Sequence, residues 1–280
     1  MGLGGYLTWT ALAREIFERS GSKILPIESH GNMIKIICSP AFKNNPHIVQ
    51  DFSCDGNTLV FPIALNNPLA NYCDIDTPQK AQHKSDKHII ETLCSAFGIK
   101  NPRIKCELFL TNQELDEASK ILKNKGVKSN FLCIEPVSKT NYTVNRQYDF
   151  AKWQKVVNEV SNEVDIVQLG VPGSPELDGV FSLVGETSFR TAAAIISKSK
   201  ALLSSEGGLV HVANAVETPA VVVLTGYQAK KMVSYNNHTY IDISSHGPCG
   251  LKSRCKKCEM DTERHDPHEI IRACKEILRK

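Results

Sequence analysis

The stretch Ser204-Ser205-Glu206-Gly207-Gly208-Leu209-Val210-His211-Val212-Ala213-Asn214-Ala215 holds a carboxylate, two glycines and a histidine where a strand pattern changes to a helix pattern. A helix N-terminus exposes unpaired N–H groups and a partial positive charge. Glycines in the turn let the backbone approach a ligand closely. Together they suit a dianionic group such as a diphosphate. A carboxylate beside such a group is unfavourable unless it accepts hydrogen bonds, which points Glu206 at hydroxyls of the ligand. His211 lies one turn into the helix; on its own it reads as a hydrogen-bonded helix histidine.

A second cluster is Cys249-x5-Cys255-x2-Cys258, in a loop rich in Gly, Lys and Arg. Two cysteines separated by two residues can grip one metal ion, and a tetrahedral site needs a fourth ligand from Cys274, His246 or His265. The readings are a structural zinc or iron, or free thiols. Cys274 also falls on the apolar face of the last helix, where core packing explains it. The basic residues Lys252, Arg254, Lys256 and Lys257 read as a solvated loop, with a phosphorylated acceptor as an alternative.

The elements that must carry these groups alternate between helix and strand, which predicts an α/β fold. Apolar spacing predicts a helix over Leu7–Arg19, a strand at Lys23–Ile27 and strand-like pieces at Ile34–Cys38 and Thr58–Leu65. A further helix covers Ile89–Phe97, with Asp86 as N-cap and Gly98 as stop. Thr111 and Glu114 form a capping box opening a helix to about Lys123. The polar stretch Asn124–Asn130 is the expected linker between an N-terminal domain (1–126) and a C-terminal domain (127–280). The second half repeats strand and helix in Rossmann-like order: strands Phe131–Glu135, Val164–Leu169, Ala201–Ser204 and Pro219–Leu224, with a Thr187-capped helix between the second and third. A final helix around Ile270–Leu278 is expected to cross back to the first domain.

Composition bounds the partners. The chain has 280 residues, 41% hydrophobic and 22% charged, with a net charge of +3. So small a charge does not suggest a nucleic-acid binder. Its longest clean apolar run, Ala220–Leu224, is too short for a membrane span. The N-terminus lacks a signal-peptide pattern. A cytoplasmic protein is expected, with a place at the inner-membrane surface as a variant. Of the ten cysteines, Cys38, Cys54, Cys73, Cys94, Cys106 and Cys133 are scattered singly and read as free thiols.

Glu206-Gly207-Gly208-Leu209-Val210-His211, followed by Ala213, Ala215 and Thr218-Pro219, resembles the signature of the heptosyltransferase (family 9) glycosyltransferases. Glu135-Pro136, Arg146 seven residues before Trp153, Gly185–Ile196, Cys249–Met260 and Gly2–Leu7 extend the likeness. The resemblance implies a GT-B fold, two Rossmann-like domains facing across a cleft, with the N-terminal one small or truncated. It implies a nucleotide-sugar donor, an ADP-sugar by preference, and a glycan, lipid-linked or protein acceptor. It implies donor binding by Glu206, Gly207, Gly208, Leu209 and His211, and inversion without a catalytic metal. Arg146, at its matched position, would neutralise the leaving diphosphate.

Two departures stand out. The family's first loop usually reads Gly-Asp, with the Asp as general base; here Gly5 holds that position, and Glu15 is the nearest acidic substitute. The family also has a strand before this loop, whereas this sequence opens at Met1-Gly2. These departures keep three alternatives in view: a catalytically impaired sugar-nucleotide-binding protein, a GT-B sugar-nucleotide epimerase, and a metal-stabilised interaction module.

Overall fold

The computed structural model describes residues 2–30, 33–36, 39–50, 58–66, 70–138 and 142–279, with the backbone alone for 28–30 and 33–36. Cys38 and Cys54 lie outside the described residues.

Helix α1 (Leu3–Ser20) begins ahead of its apolar stripe, so Gly4 and Gly5 form its first turn instead of a preceding loop. Gly21, in the left-handed region at φ 71°, ends it. Strands β1 (Lys23–His30), β2 (Met33–Ile36) and β3 (Val60–Ala64) form a sheet in the order β2-β1-β3. Strand β1 runs parallel to β3 and antiparallel to β2. Among the described residues no strand precedes α1. A small ribbon of β4 (Cys73–Asp76) and β5 (Ala81–His83) follows, then α2 (Ile89–Ser95) and α3 (Asn112–Lys125). His88, not Asp86, caps α2: its Nδ1 accepts from the Ile90 N–H at 3.1 Å, and Glu91 returns a bond to the His88 N–H. The Thr111–Glu114 box opens α3 as expected.

The second half is a six-stranded parallel sheet, with helices on both faces. Its strands are β6 (Phe131–Glu135), β7 (Asp165–Gln168), β8 (Phe181–Ser182), β9 (Leu202–Ser205), β10 (Ala220–Leu224) and β11 (Thr239–Asp242), in the order β11-β10-β9-β6-β7-β8. The helices are α4 (Phe150–Val160), α5 (Phe189–Ile196), α6 (Gly208–Ala215), α7 (Lys230–Val233), α8 (Lys256–Arg264) and α9 (His268–Leu278). Ser188, not Thr187, caps α5, its hydroxyl accepting from the Thr191 N–H. Strand side chains alternate between faces. Leu132, Ile134, Val221 and Val223 pack with α4 and α9 on one face. Phe131, Cys133, Val222 and Leu224 pack with α5 and α6 on the other, and that core continues into α1, α2, α3, β1 and β3. Helix α9 therefore stays on the second half, against α4, β10 and β11, and does not cross back.

Gly126, at φ 79°, ends α3 within the expected linker. The core nevertheless crosses that position, because α3 packs on α5. Arg190 of α5 reinforces this contact with two bonds to Glu114, at 2.5 and 2.8 Å, and one to the Pro40 carbonyl at 2.9 Å. No helix among the described residues is long and apolar enough to cross a membrane.

Candidate active site

Ligands of open parallel sheets bind beyond the C-terminal ends of the strands. Here Glu135 ends β6, Glu206 follows β9, and Tyr227 and Gln228 follow β10. Gly207 is the N-cap of α6. A Cβ there would lie 3.0 Å from the Ser138 Cβ and 3.3 Å from Glu135 Oε2, so any larger residue would have to push those side chains aside. Burial pushes the Glu135 carboxyl up to about 8, against a hydroxyl donated by Ser204.

Helix α1 lies directly on α6. A Cβ on Gly4 would come within 2.8 Å of the Gly208 Cα and 3.0 Å of the His211 ring. Farther along, adjacent amides bridge the two helices: the Cys106 N–H donates to Asn214 and the Glu107 N–H to Thr10, each at 2.8 Å. The helices therefore run side by side in the same direction, with their N-termini together. Two positive helix ends in contact repel, and an anion between them relieves that repulsion.

Arg146 and Glu206 face each other at 3.8 Å, with side chains 17% and 12% exposed. Burial raises the Glu206 carboxyl, and the Arg146 charge works against it. The guanidinium sits 5.0 Å from the Tyr227 ring centre and 5.7 Å from that of Tyr142. Its Nε is buried and has no hydrogen-bond partner. With the Gln228 amide oriented so that its nitrogen faces Glu206, it donates to both carboxylate oxygens. The other end of that amide lies 3.4 Å from the His83 ring nitrogens. His83 stacks on Tyr72 at 5.6 Å, and burial together with Arg146 lowers its pKa to about 4, leaving it neutral. Sequence reasoning missed Tyr72, His83, Tyr142, Tyr227 and Gln228. For Tyr227 and Gln228 a signal existed, since they sit just past a predicted parallel strand.

His211 is half-buried, and its Nδ1 lies 2.6 Å from the Tyr235 hydroxyl, which also meets Cys106 Sγ at 3.2 Å. Burial lowers its pKa to about 3, so it is neutral. Glu15 is not brought to this site. Its oxygens bind Arg14 at 3.2 Å, Arg19 at 3.1 Å and the Arg103 N–H at 3.1 Å. Burial alone would raise its pKa; these partners outweigh it and hold the carboxylate below its usual range. None of its described hydrogen bonds or ion pairs involves Arg146, Glu206 or His211, so the structure gives the candidate base a structural role.

The thiols of the 246–258 loop do converge. Cys258 Sγ lies 3.5 Å from Cys249 Sγ and 3.6 Å from His246 Nε2. The ligand atoms of His246, Cys255 and Cys258 fall within 4.8 Å of one another. Ligand atoms around a tetrahedral zinc stand about 3.8 Å apart, so His246, Cys255 and Cys258 suit one such ion, with Cys249 beside Cys258 as the candidate fourth ligand. His246 turns its Nδ1 to Asp261 at 2.9 Å, an arrangement that fixes a metal-binding tautomer. A hydrogen bond from Cys258 draws Cys249 down to about 6. Cys274 is not part of this group: it is buried in the core beneath α9, where burial pushes its thiol up to about 12. His265 bonds Tyr148 instead.

Comparison with known proteins agrees with this geometry. The family model for glycosyltransferase family 9 (heptosyltransferase) matches residues 75–262. Among solved structures, the E. coli ADP-heptose LPS heptosyltransferase II is similar at a TM-score of 0.66 and 12% identity, over 99% of this chain and 96% of that one. A family 9 glycosyltransferase of Veillonella parvula gives 0.67 and 10%, over 99% and 94%. The iron-containing dodecameric heptosyltransferase TibC of enterotoxigenic E. coli, solved with ADP-D-β-D-heptose, gives 0.63 and 12%, over 100% and 74%. No curated protein matches the sequence. The fold is thus GT-B, and the chain belongs to glycosyltransferase family 9, the heptosyltransferase family.

Proposed function

We propose that this protein transfers a heptose-like sugar from a nucleotide diphosphate, with an ADP-sugar as the favoured donor, to a glycan, lipid-linked or protein acceptor. The observation that carries the reading is Arg146, a half-buried cation whose Nε–H is buried and unpartnered, between two tyrosine rings and beside Glu206 and the α6 N-terminus. In a direct displacement the acceptor hydroxyl loses its proton to water as its oxygen bonds to the anomeric carbon, the carbon–oxygen bond to the diphosphate breaks, and the anomeric centre inverts. The charge gained by the leaving diphosphate falls to Arg146 and the amides of Gly207, Gly208 and Leu209. Glu206, held by Gln228, accepts from the sugar hydroxyls. Neutral His211 packs behind the turn and supports it. The same reading gives His246, Cys249, Cys255 and Cys258 one structural zinc or iron ion, with no part in the chemistry.

Titration with ADP and with ADP-sugars tests the donor assignment. Glu206→Ala should weaken the sugar conjugate while sparing or tightening free ADP. Equal loss of both would refute the division of roles. A second reading, a sugar-nucleotide-binding protein with weak transfer, is favoured by one observation: the first turn of α1, where Gly5 lies, carries no acidic residue. Single-turnover transfer assays separate the two.

A further inference from the structure

Asn145 stands next to Arg146 in sequence and reaches the thiol cluster with its side chain. It is buried, and its amide nitrogen donates to the Leu251 carbonyl at 2.8 Å and the Ser253 carbonyl at 2.6 Å. Its amide oxygen accepts from the Cys255 N–H at 2.8 Å. Both amide hydrogens and one oxygen lone pair are thus committed to the loop that carries the ligands. Thr225 fixes the Asn145 carbonyl from the other side at 2.6 Å. The same loop fastens the rest of the Arg146 cage. The Cys249 N–H donates to the Gly226 carbonyl at 2.8 Å and the Gly250 N–H to that of Tyr227 at 3.3 Å. The Gly250 carbonyl accepts from Ala81 at 2.7 Å, two residues from His83.

Ser253, Arg254, Lys256 and Lys257 of this loop are exposed, and the ligand side chains Cys255 and Cys258 are buried beneath them. Arg146, for its part, stands 3.8 Å from Glu206, and among the described residues its Nε has no hydrogen-bond partner. Its position depends on the backbone and rings around it, and those depend on the loop.

We infer that Asn145 is a positioning residue through which a tetrahedral cation on His246, Cys249, Cys255 and Cys258 sets how tightly Arg146 holds the diphosphate of the donor. The inference rests on the donor and metal sites proposed above. Metal sites of this kind order the chain around them when filled. Filling the cluster orders 246–258, Asn145 transmits that order, and Arg146 gains a fixed aim.

The test is calorimetric titration of ADP and of adenosine, which lacks the phosphates. The proteins are the wild type loaded with one equivalent of Zn2+, the same protein stripped by chelator, Asn145→Ala, Arg146→Met and the double variant. Stripping should weaken ADP about tenfold or more, as loss of one charge-assisted hydrogen bond does. Adenosine should change by less than about twofold on this account, because no phosphate contact is involved. Zinc should restore the affinity. Asn145→Ala should keep one zinc, measured by elemental analysis, yet bind ADP as weakly as Arg146→Met, and the double variant should be no weaker than either. Stripped protein that stays folded by circular dichroism and binds ADP like the loaded form overturns the inference. So does an Asn145→Ala loss that adds in full to that of Arg146→Met. If stripping unfolds the protein, the double-variant comparison decides. Loaded wild type that binds no ADP brings down the donor site itself, and wild type that takes up no zinc brings down the metal site; either takes the inference with it.

Discussion

Replacing Arg146 by Met keeps the length and apolar stem of the side chain and removes the charge. Two effects follow from the geometry. Among the described residues the Arg146 Nε–H has no hydrogen-bond partner and the Glu206 carboxylate stands 3.8 Å from the guanidinium, which leaves donors for phosphate oxygens. Losing one such charge-assisted bond costs about 1.5–3 kcal/mol, roughly 10- to 150-fold in Kd. Glu206 then keeps its burial without the cation that opposes it, so its carboxyl rises further. Breaking a buried pair costs about 3–5 kcal/mol when the partner stays charged. This pair is long and partly exposed, so about 1–3 kcal/mol of stability is expected after allowing for screening. The sign with pH is fixed. A protonated Glu206 does not repel the diphosphate, so ADP binding by Arg146→Met should tighten as pH falls by more than wild-type binding does. Adding Glu206→Gln should restore most of the stability, remove that extra pH dependence, and hold ADP binding at the level the single variant reaches when Glu206 is protonated. Calorimetry with ADP and adenosine, together with urea unfolding, measures all three. A folded Arg146→Met protein that binds ADP like the wild type would refute the reasoning, as would equal weakening of adenosine.

Three other outcomes are expected. Gly5→Asp places a carboxylate in the first turn of α1 and should stabilise that helix by about 0.3–1 kcal/mol; if the missing base limits transfer, turnover should also rise by about 10²-fold or more without tighter ADP binding, and an unchanged rate would turn attention elsewhere. Glu135, with a folded pKa of about 8 raised by burial, binds a proton in the folded state that the unfolded chain releases above its ordinary carboxylate range. Stability should therefore fall as pH rises from about 5 to 8, by at most about 1.4 kcal/mol per unit. Glu135→Gln should flatten that slope in urea titrations, and an equally steep variant would discredit the shift. Cys258→Ser should abolish the uptake of one metal ion per chain measured by elemental analysis. Cys274→Ser should leave uptake intact and only lower the melting temperature, so an equal loss of metal in both would return Cys274 to the ligand set.

The second half was legible because buried parallel strands write continuous apolar runs. Ala220–Leu224 is buried throughout, and its ends were placed within a residue. The turn Glu206–His211 was found for the same reason, since a glycine pair between strand and helix has a local cause. The cysteine cluster showed in its spacing, but its fourth ligand did not. Cys274, His246 and His265 all stood open as the fourth ligand, and only the packing of the folded chain separates them. Local capping misled at Asp86, because a histidine nitrogen can take the place of a carboxylate at an N-cap. The cage around Arg146 was invisible. Tyr72 and His83 come from a short ribbon docked on the 250–252 loop, a contact across more than half the chain that leaves no periodic trace. Gly208 is one of the two glycines that the sequence places in the phosphate-approaching turn. In the structure its Cβ position faces Gly4, at 3.7 Å from that residue's nitrogen, so a valine would wedge α1 from α6.

That glycine-to-glycine contact has a consequence for how the molecule moves and breaks. A side chain cannot enter at Gly4 without displacing backbone, and the core beneath it passes unbroken from α1 and α3 into α5 and α6. Arg190 pins the same seam with bonds to Glu114 and Pro40. Halves joined in this way melt as one cooperative unit, so heating should give a single calorimetric transition. Clipping the chain near Gly126 should release no fragment that survives alone. Access for a sugar nucleotide then falls to the surface segments around Arg146, which can shift at far smaller cost than a seam of packed helices can open.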